Sequence, residues 1–140
     1  MIVYRISRDI YASDLTGAGA KMFGGRWNPK GVPVVYASQN RSLTALEFYA
    51  HRASSMGLSG LTMVSILIPD DAVVQMVSLA SLPPDWDKYP YTSATVNLGA
   101  EWLESRESLL LGVPSVLIHE EYNYLINPEH PHMNRVSIAG

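Results

Sequence analysis

Apolar and polar positions in this chain alternate in short blocks and switch twice to a helical period. Residues 2–6 alternate and predict a short strand, and residues 32–38 predict another, with Pro33 near its start where a missing N–H does least harm. Residues 61–68 form a near-continuous apolar run closed by Pro69-Asp70-Asp71, and residues 73–77 add a further strand. Residues 113–118 read as a turn into a buried strand, and residues 135–138 as a strand that closes the sheet. The segments 79–91, with Pro83, Pro84 and Pro90, and 122–132, with Asn123, Asn127 and Pro128, read as loops. The helical period appears over residues 42–54, with Asn40 or Ser42 as N-cap, and over 93–105, with Val96, Gly99, Ala100 and Leu103 inward. Residues 9–31 are rich in Gly, Ser and Asp and predict a long, mostly irregular segment of the kind that carries function. The sum is a mixed α+β domain of about six strands and two main helices spanning residues 1–140.

One position in the first helix breaks its pattern. At about 100° per residue, Leu43, Leu46, Ala50, Ala53 and Ser54 share a face, while Arg41, Thr44, Phe48 and Arg52 share the other. Glu47 falls between Leu43 and Ala50 on the inward stripe. An inward carboxylate is costly unless it is paired or used. A structural ion pair with Arg5 or Arg26 would satisfy it, and so would a functional role.

Composition narrows the partners. Charged residues make up 16% of the chain, against a typical ~25%. So sparse a charged surface favours a permanent partner or self-association. The net charge is −3 and the only lysines are Lys21, Lys30 and Lys88, which argues against direct nucleic-acid binding. The absence of cysteine excludes disulfides and thiolate metal sites and fits a reducing compartment. Without a signal-peptide pattern or an apolar run of roughly 20 residues, the expectation is a cytoplasmic protein that does not span a membrane.

Four places carry candidate chemistry. In Gly24-Gly25-Arg26-Trp27-Asn28, the glycines permit close backbone approach and the Arg26 guanidinium suits phosphate or carboxylate; Trp27 offers a stacking face. The alternative is a surface arginine in a turn with Trp27 in the core. Neither GxGxxG nor GxxxxGK[ST] occurs. Tyr36 ends a strand, and Ser115 lies between Pro114 and Val116 without the GxSxG context of a nucleophile elbow. The histidines are His51, His119, His130 and His132; His130-Pro131-His132 lacks the spacing of a ligand helix, so no metal site is expected.

Taken in order, Tyr4-Arg5, Gly25-Arg26-Trp27-Asn28, Val35-Tyr36-Ala37-Ser38, Ala45-Leu46-Glu47, Pro114-Ser115 and Asn127-Pro128-Glu129-His130-Pro131 resemble the RES-domain toxins, named for an arginine, a glutamate and a serine. Here those would be Arg26, Glu47 and Ser115. The resemblance implies a fold similar to ADP-ribosyltransferases, with a split, strongly bent sheet around a cleft for NAD+. It implies NAD+ as substrate, with no further cofactor, consumed by hydrolysis, phosphorolysis or transfer of ADP-ribose to a protein. It also implies an Xre-like helix-turn-helix antitoxin that covers the cleft in an oligomeric complex. Under it, Glu47 would hold a ribose hydroxyl, Arg26 would grip phosphate, Tyr36 would pack on nicotinamide, and Ser115 would bond substrate or orient Glu47. Arg5 and Asn127 are further binding candidates. A non-catalytic binding module built on an Arg26–Glu47 pair is the rival.

Overall fold

The first strand, β1 (Ile2–Arg8), pairs antiparallel with β3 (Leu61–Leu67) along its whole length, from Ile2↔Leu67 to Arg8↔Leu61. The computed structural model describes residues 1–51 and 59–139 of the chain. On the far side of β3 lies β7 (Ser137–Ile138), the short closing strand expected from the sequence. A second group forms around β5 (Leu110–Pro114), buried at every position; it pairs parallel with β4 (Val74–Met76) and antiparallel with β6 (Tyr122–Ile126). β6 in turn pairs with β2 (Val35–Ser38). The sheet order is β4-β5-β6-β2-β1-β3-β7, seven strands where about six were expected.

The two groups meet at β1 and β2, which share one registered pair, Tyr4↔Ser38. The sheet is therefore split: two well-paired halves diverge from a single point of contact. Neighbouring residues along the strands belong to different cores. Val35, Leu110 and Ile126 lie in one cluster with Val3, Val64 and Ile66. Val34, Leu111 and Leu125 lie in another with Trp27, Trp86, Trp102 and Leu103. Because side chains alternate faces along a strand, both faces of the sheet are covered.

Among the described residues three α-helices flank it: α1 (Ala18–Phe23), α2 (Arg41–His51) and α3 (Ser93–Ser105). α1 gives a regular turn to the segment expected to be irregular. α3 has the predicted bounds, but its buried stripe is Thr95, Gly99, Trp102 and Leu103. Gly99 explains the rotation: a Cβ there would lie 1.7 Å from the Trp27 carbonyl oxygen, so the helix backbone rests on the Trp27 backbone. Two further segments differ from the sequence reading. The strand expected after Pro114 precedes it, because the apolar run begins at Leu109 and a proline is tolerated best at a strand end. Residues 122–126, read as loop, form β6, because the aromatic and β-branched content of Tyr-Asn-Tyr-Leu-Ile suits a strand and Pro128 lies beyond it.

Candidate active site

α2 starts with the expected cap: Asn40 accepts a hydrogen bond from the Leu43 N–H at 2.7 Å. Its buried positions are Leu43 and Thr44. Leu46 and Ala50 face solvent, which corrects the predicted stripe. Thr44 tolerates burial because its hydroxyl donates to the Asn40 carbonyl at 2.8 Å, with the Tyr4 carbonyl as a second acceptor 3.3 Å away. The resulting rotation still sends Glu47 inward, together with Phe48 and His51. Arg52, Ala53 and Ser54 lie outside the described residues.

Where β1 and β2 part, a cleft of about 770 Å³ opens. Tyr4, Arg5 and Ile6 of β1, Tyr36 and Ser38 of β2, Asn123 of β6 and Glu47 of α2 border it. The size suits a small-molecule site. Inside it, the Glu47 carboxylate is held by three elements. Ser115, fully buried just after β5, donates its hydroxyl to Oε1 at 2.6 Å. Asn123 donates its amide to the same oxygen at 3.0 Å, and its own oxygen accepts from Ser38 at 2.7 Å. His51, one helical turn along, lies 3.0 Å from Oε2. Burial raises the Glu47 pKa, but the bonds from His51, Ser115 and Asn123 outweigh it and hold the carboxyl below its ordinary value. Glu47 is thus ionised at neutral pH.

The Ser115 hydroxyl also accepts the N–H groups of Leu117 and Ile118, both at 3.1 Å. Its position is locked by the turn that follows the strand, and its proton is directed at Glu47 Oε1.

Arg26 is not the partner of Glu47. Its Nη1 donates to the carbonyls of Trp86 and Lys88, at 2.7 and 3.0 Å. Its guanidinium lies over Tyr89 at 4.7 Å and near Tyr91 at 5.8 Å. Nη2 is buried with no partner among the described residues, and so is Nε of Arg5. Arg5 otherwise donates to the carbonyls of Tyr11 and Asp14, at 2.9 and 2.6 Å. The ion pair with Arg5 or Arg26, one of the two readings of the inward Glu47, is absent from the described residues, where His51 Nε2 lies 3.0 Å from Glu47 Oε2.

Tyr36 donates to the Asn28 side chain at 2.6 Å and accepts from the Trp27 N–H at 3.2 Å; burial pushes its phenol well above the ordinary value, so it stays neutral. Gly25 makes this contact possible, since a Cβ there would sit 2.8 Å from the Tyr36 hydroxyl. Two candidates sit differently from expectation. Trp27 borders the cleft but is only 4% exposed and packs towards Trp86, with ring centroids 6.4 Å apart. Asn127 does not border the cleft; it is buried and ties the Leu103 carbonyl and the Glu129 N–H together, which is a structural role. Among the described residues, no cluster of three or more His, Asp or Glu side chains is arranged to hold a metal.

The sequence reading named His51 only among the histidines weighed for metal and Asn123 only as a loop residue, and did not name Tyr89 or Tyr91. A signal existed for two of them. Asn123 shares a strand face with Leu125 and is therefore a polar residue on an apolar face. His51 lies four positions after Glu47, the spacing at which helical side chains meet.

Comparison with known proteins fits this geometry. The RES domain model matches residues 2–140. The chain is 42% identical over 127 residues to the "Prs ADP-ribosylating toxin" of Sphingobium sp. strain YBL2, covering 89% of this chain and 79% of that one. It is 40% identical over 131 residues to "Toxin Res" of Yersinia enterocolitica, covering 93% and 86%. Its fold is similar to a chain in the M. tuberculosis MbcT–MbcA toxin–antitoxin complex, with a TM-score of 0.80 at 19% identity, covering 99% of this chain and 81% of that one. The split sheet, with its cleft at the parting of β1 and β2, is thus an ADP-ribosyltransferase-like α+β fold, and the chain belongs to the RES-domain toxin family.

Proposed function

We propose that this protein cleaves the N-glycosidic bond between nicotinamide and ribose in NAD+, with NAD+ as substrate and no additional cofactor. The observation that carries this reading is Glu47: an ionised carboxylate, fixed at Oε1 by Ser115 and Asn123, facing a cleft of about 770 Å³. Departure of neutral nicotinamide leaves positive charge on the ribose, as in glycoside hydrolysis. A carboxylate already aimed at that sugar stabilises the developing cation without reorganising. Arg26 and Arg5, which border the cleft, are our candidates for the pyrophosphate, and Tyr36, which also borders it, is our candidate for packing on the nicotinamide ring. The rival module built on an Arg26–Glu47 pair lacks that pair among the described residues.

Water or phosphate as the attacking group gives NAD+ depletion; a protein side chain gives ADP-ribosylation, which the name of the Sphingobium relative favours. Cleavage of the same bond precedes all three. The M. tuberculosis neighbour belongs to a toxin–antitoxin complex, which supports a partner here as well. That partner, in our reading, is an Xre-like helix-turn-helix protein that covers the cleft in the cytoplasm. Met22 and Phe23, exposed by 68% and 72%, are apolar side chains that such an assembly could cover.

Purified protein freed of any antitoxin is expected to release nicotinamide from NAD+, and Glu47→Ala to abolish the release. Release that requires an added protein, which becomes labelled with ADP-ribose, selects the transferase version. No release in water, phosphate or cell extract would overturn the reading.

A further inference from the structure

The two oxygens of the Glu47 carboxylate are not equivalent. A carboxylate oxygen accepts about two hydrogen bonds, and Oε1 already takes them from Ser115 and Asn123. Oε2 has His51 Nε2 at 3.0 Å as its partner among the described residues. A ribose hydroxyl or an incoming nucleophile that bonds Glu47 must therefore approach Oε2, beside the imidazole. His51 itself borders the cleft. Its ring is backed by Tyr89, with ring centroids 5.8 Å apart and the Tyr89 hydroxyl 3.4 Å from Nε2 and 3.5 Å from Nδ1. Tyr89 lies in turn against the Arg26 guanidinium, 4.7 Å from its ring centroid. A continuous series of contacts thus runs from Arg26 through Tyr89 and His51 to Glu47, and joins two site residues that do not touch.

We propose that His51 is a positioning residue for this reaction: its Nε2–H takes one lone pair of Oε2 and aims the other into the cleft, while Tyr89 keeps the imidazole in place. The inference rests on the reading of Glu47 as the ribose-facing carboxylate. It accounts for the one bond to Glu47 that comes from a half-exposed side chain rather than from the buried wall. Without that bond the carboxylate can still be ionised and held at Oε1, but it is free to swing about that anchor. A displacement of about 1 Å at a reacting group costs up to 10²-fold in rate.

The test compares His51→Ala, His51→Gln and wild type in steady-state nicotinamide release from NAD+, with melting temperatures alongside. The expected result for His51→Ala is a fall in kcat of roughly 10- to 100-fold with KM nearly unchanged and a melting temperature close to wild type. Glutamine places an amide donor at the same reach and should restore most of kcat. Equal kcat in wild type and His51→Ala overturns the proposal and leaves the role of Glu47 intact. A raised KM with unchanged kcat also overturns it, by making His51 a substrate contact. A glutamine variant as impaired as alanine overturns it in favour of proton transfer by the imidazole. An inactive wild type overturns the NAD+ reading, and the positioning role with it.

Discussion

Glu47 is held between two walls of unlike construction. On one side, Ser115 is fully buried, and both it and Asn123 are fixed by further bonds: Ser115 to two backbone N–H groups, Asn123 to Ser38. That wall belongs to β2, β5 and β6, whose register sets Asn123 opposite both Ser38 and Val113. On the other side, His51, Tyr89 and Arg26 meet through ring faces and side-chain bonds at the rim, where Tyr89 is 58% exposed. The difference shows a division of labour. The buried wall fixes where the carboxylate is, so its disruption affects folding and chemistry together. The rim sets how the free oxygen is presented, so its disruption is expected to spare folding.

The most damaging way to break this division is to reverse the polarity of the buried wall. Asn123→Asp replaces a donor with an acceptor 3.0 Å from Glu47 and sets two carboxylates side by side. Nicotinamide release should fall by about 10²-fold, the size of losing one preorganised donor, and the Glu47 carboxyl resonance should titrate at higher pH than in wild type. A variant with unchanged activity would remove Asn123 from the site. Ser115→Ala comes next. It deletes one bond to Glu47 and strands the Leu117 and Ile118 N–H groups, at a cost of about 1–3 kcal/mol. Urea unfolding should show the loss together with reduced kcat, in contrast to the stability-neutral loss expected for His51→Ala.

The smallest effect concerns pH. The folded Glu47 carboxyl sits below its ordinary value, because hydrogen bonds outweigh burial. The unfolded chain therefore takes up the proton first as pH falls. Stability from this group is complete above the ordinary carboxylate range of about 4–5 and is lost as pH falls through the lower folded value. The difference in unfolding midpoint between wild type and Glu47→Gln should accordingly shrink as pH falls below about 4. A difference that grows on acidification would mean that burial wins and the carboxyl is held protonated.

The residue pattern set the strand and helix framework, because period-2 and period-3.6 repeats are local properties of the chain: β1, β3 and α3 follow the predicted segments closely, and Asn40 caps α2 as its side chain dictates. It also marked Glu47 as an inward charge, and the order of short motifs pointed to the family. What it could not determine was which polar groups meet. Asn127 and Asn123 are four residues apart and look alike in sequence, yet one ties a helix end to a turn and the other bonds the site carboxylate. Arg26 and Glu47, which the sequence offered as a possible pair, do not pair with each other among the described residues, where Tyr89 and His51 lie between them. Those outcomes depend on where two halves of a sheet part after a single shared residue pair. Strand order and register are set by contacts between distant segments, so the partners of the glutamate follow from the folded arrangement and not from local pattern.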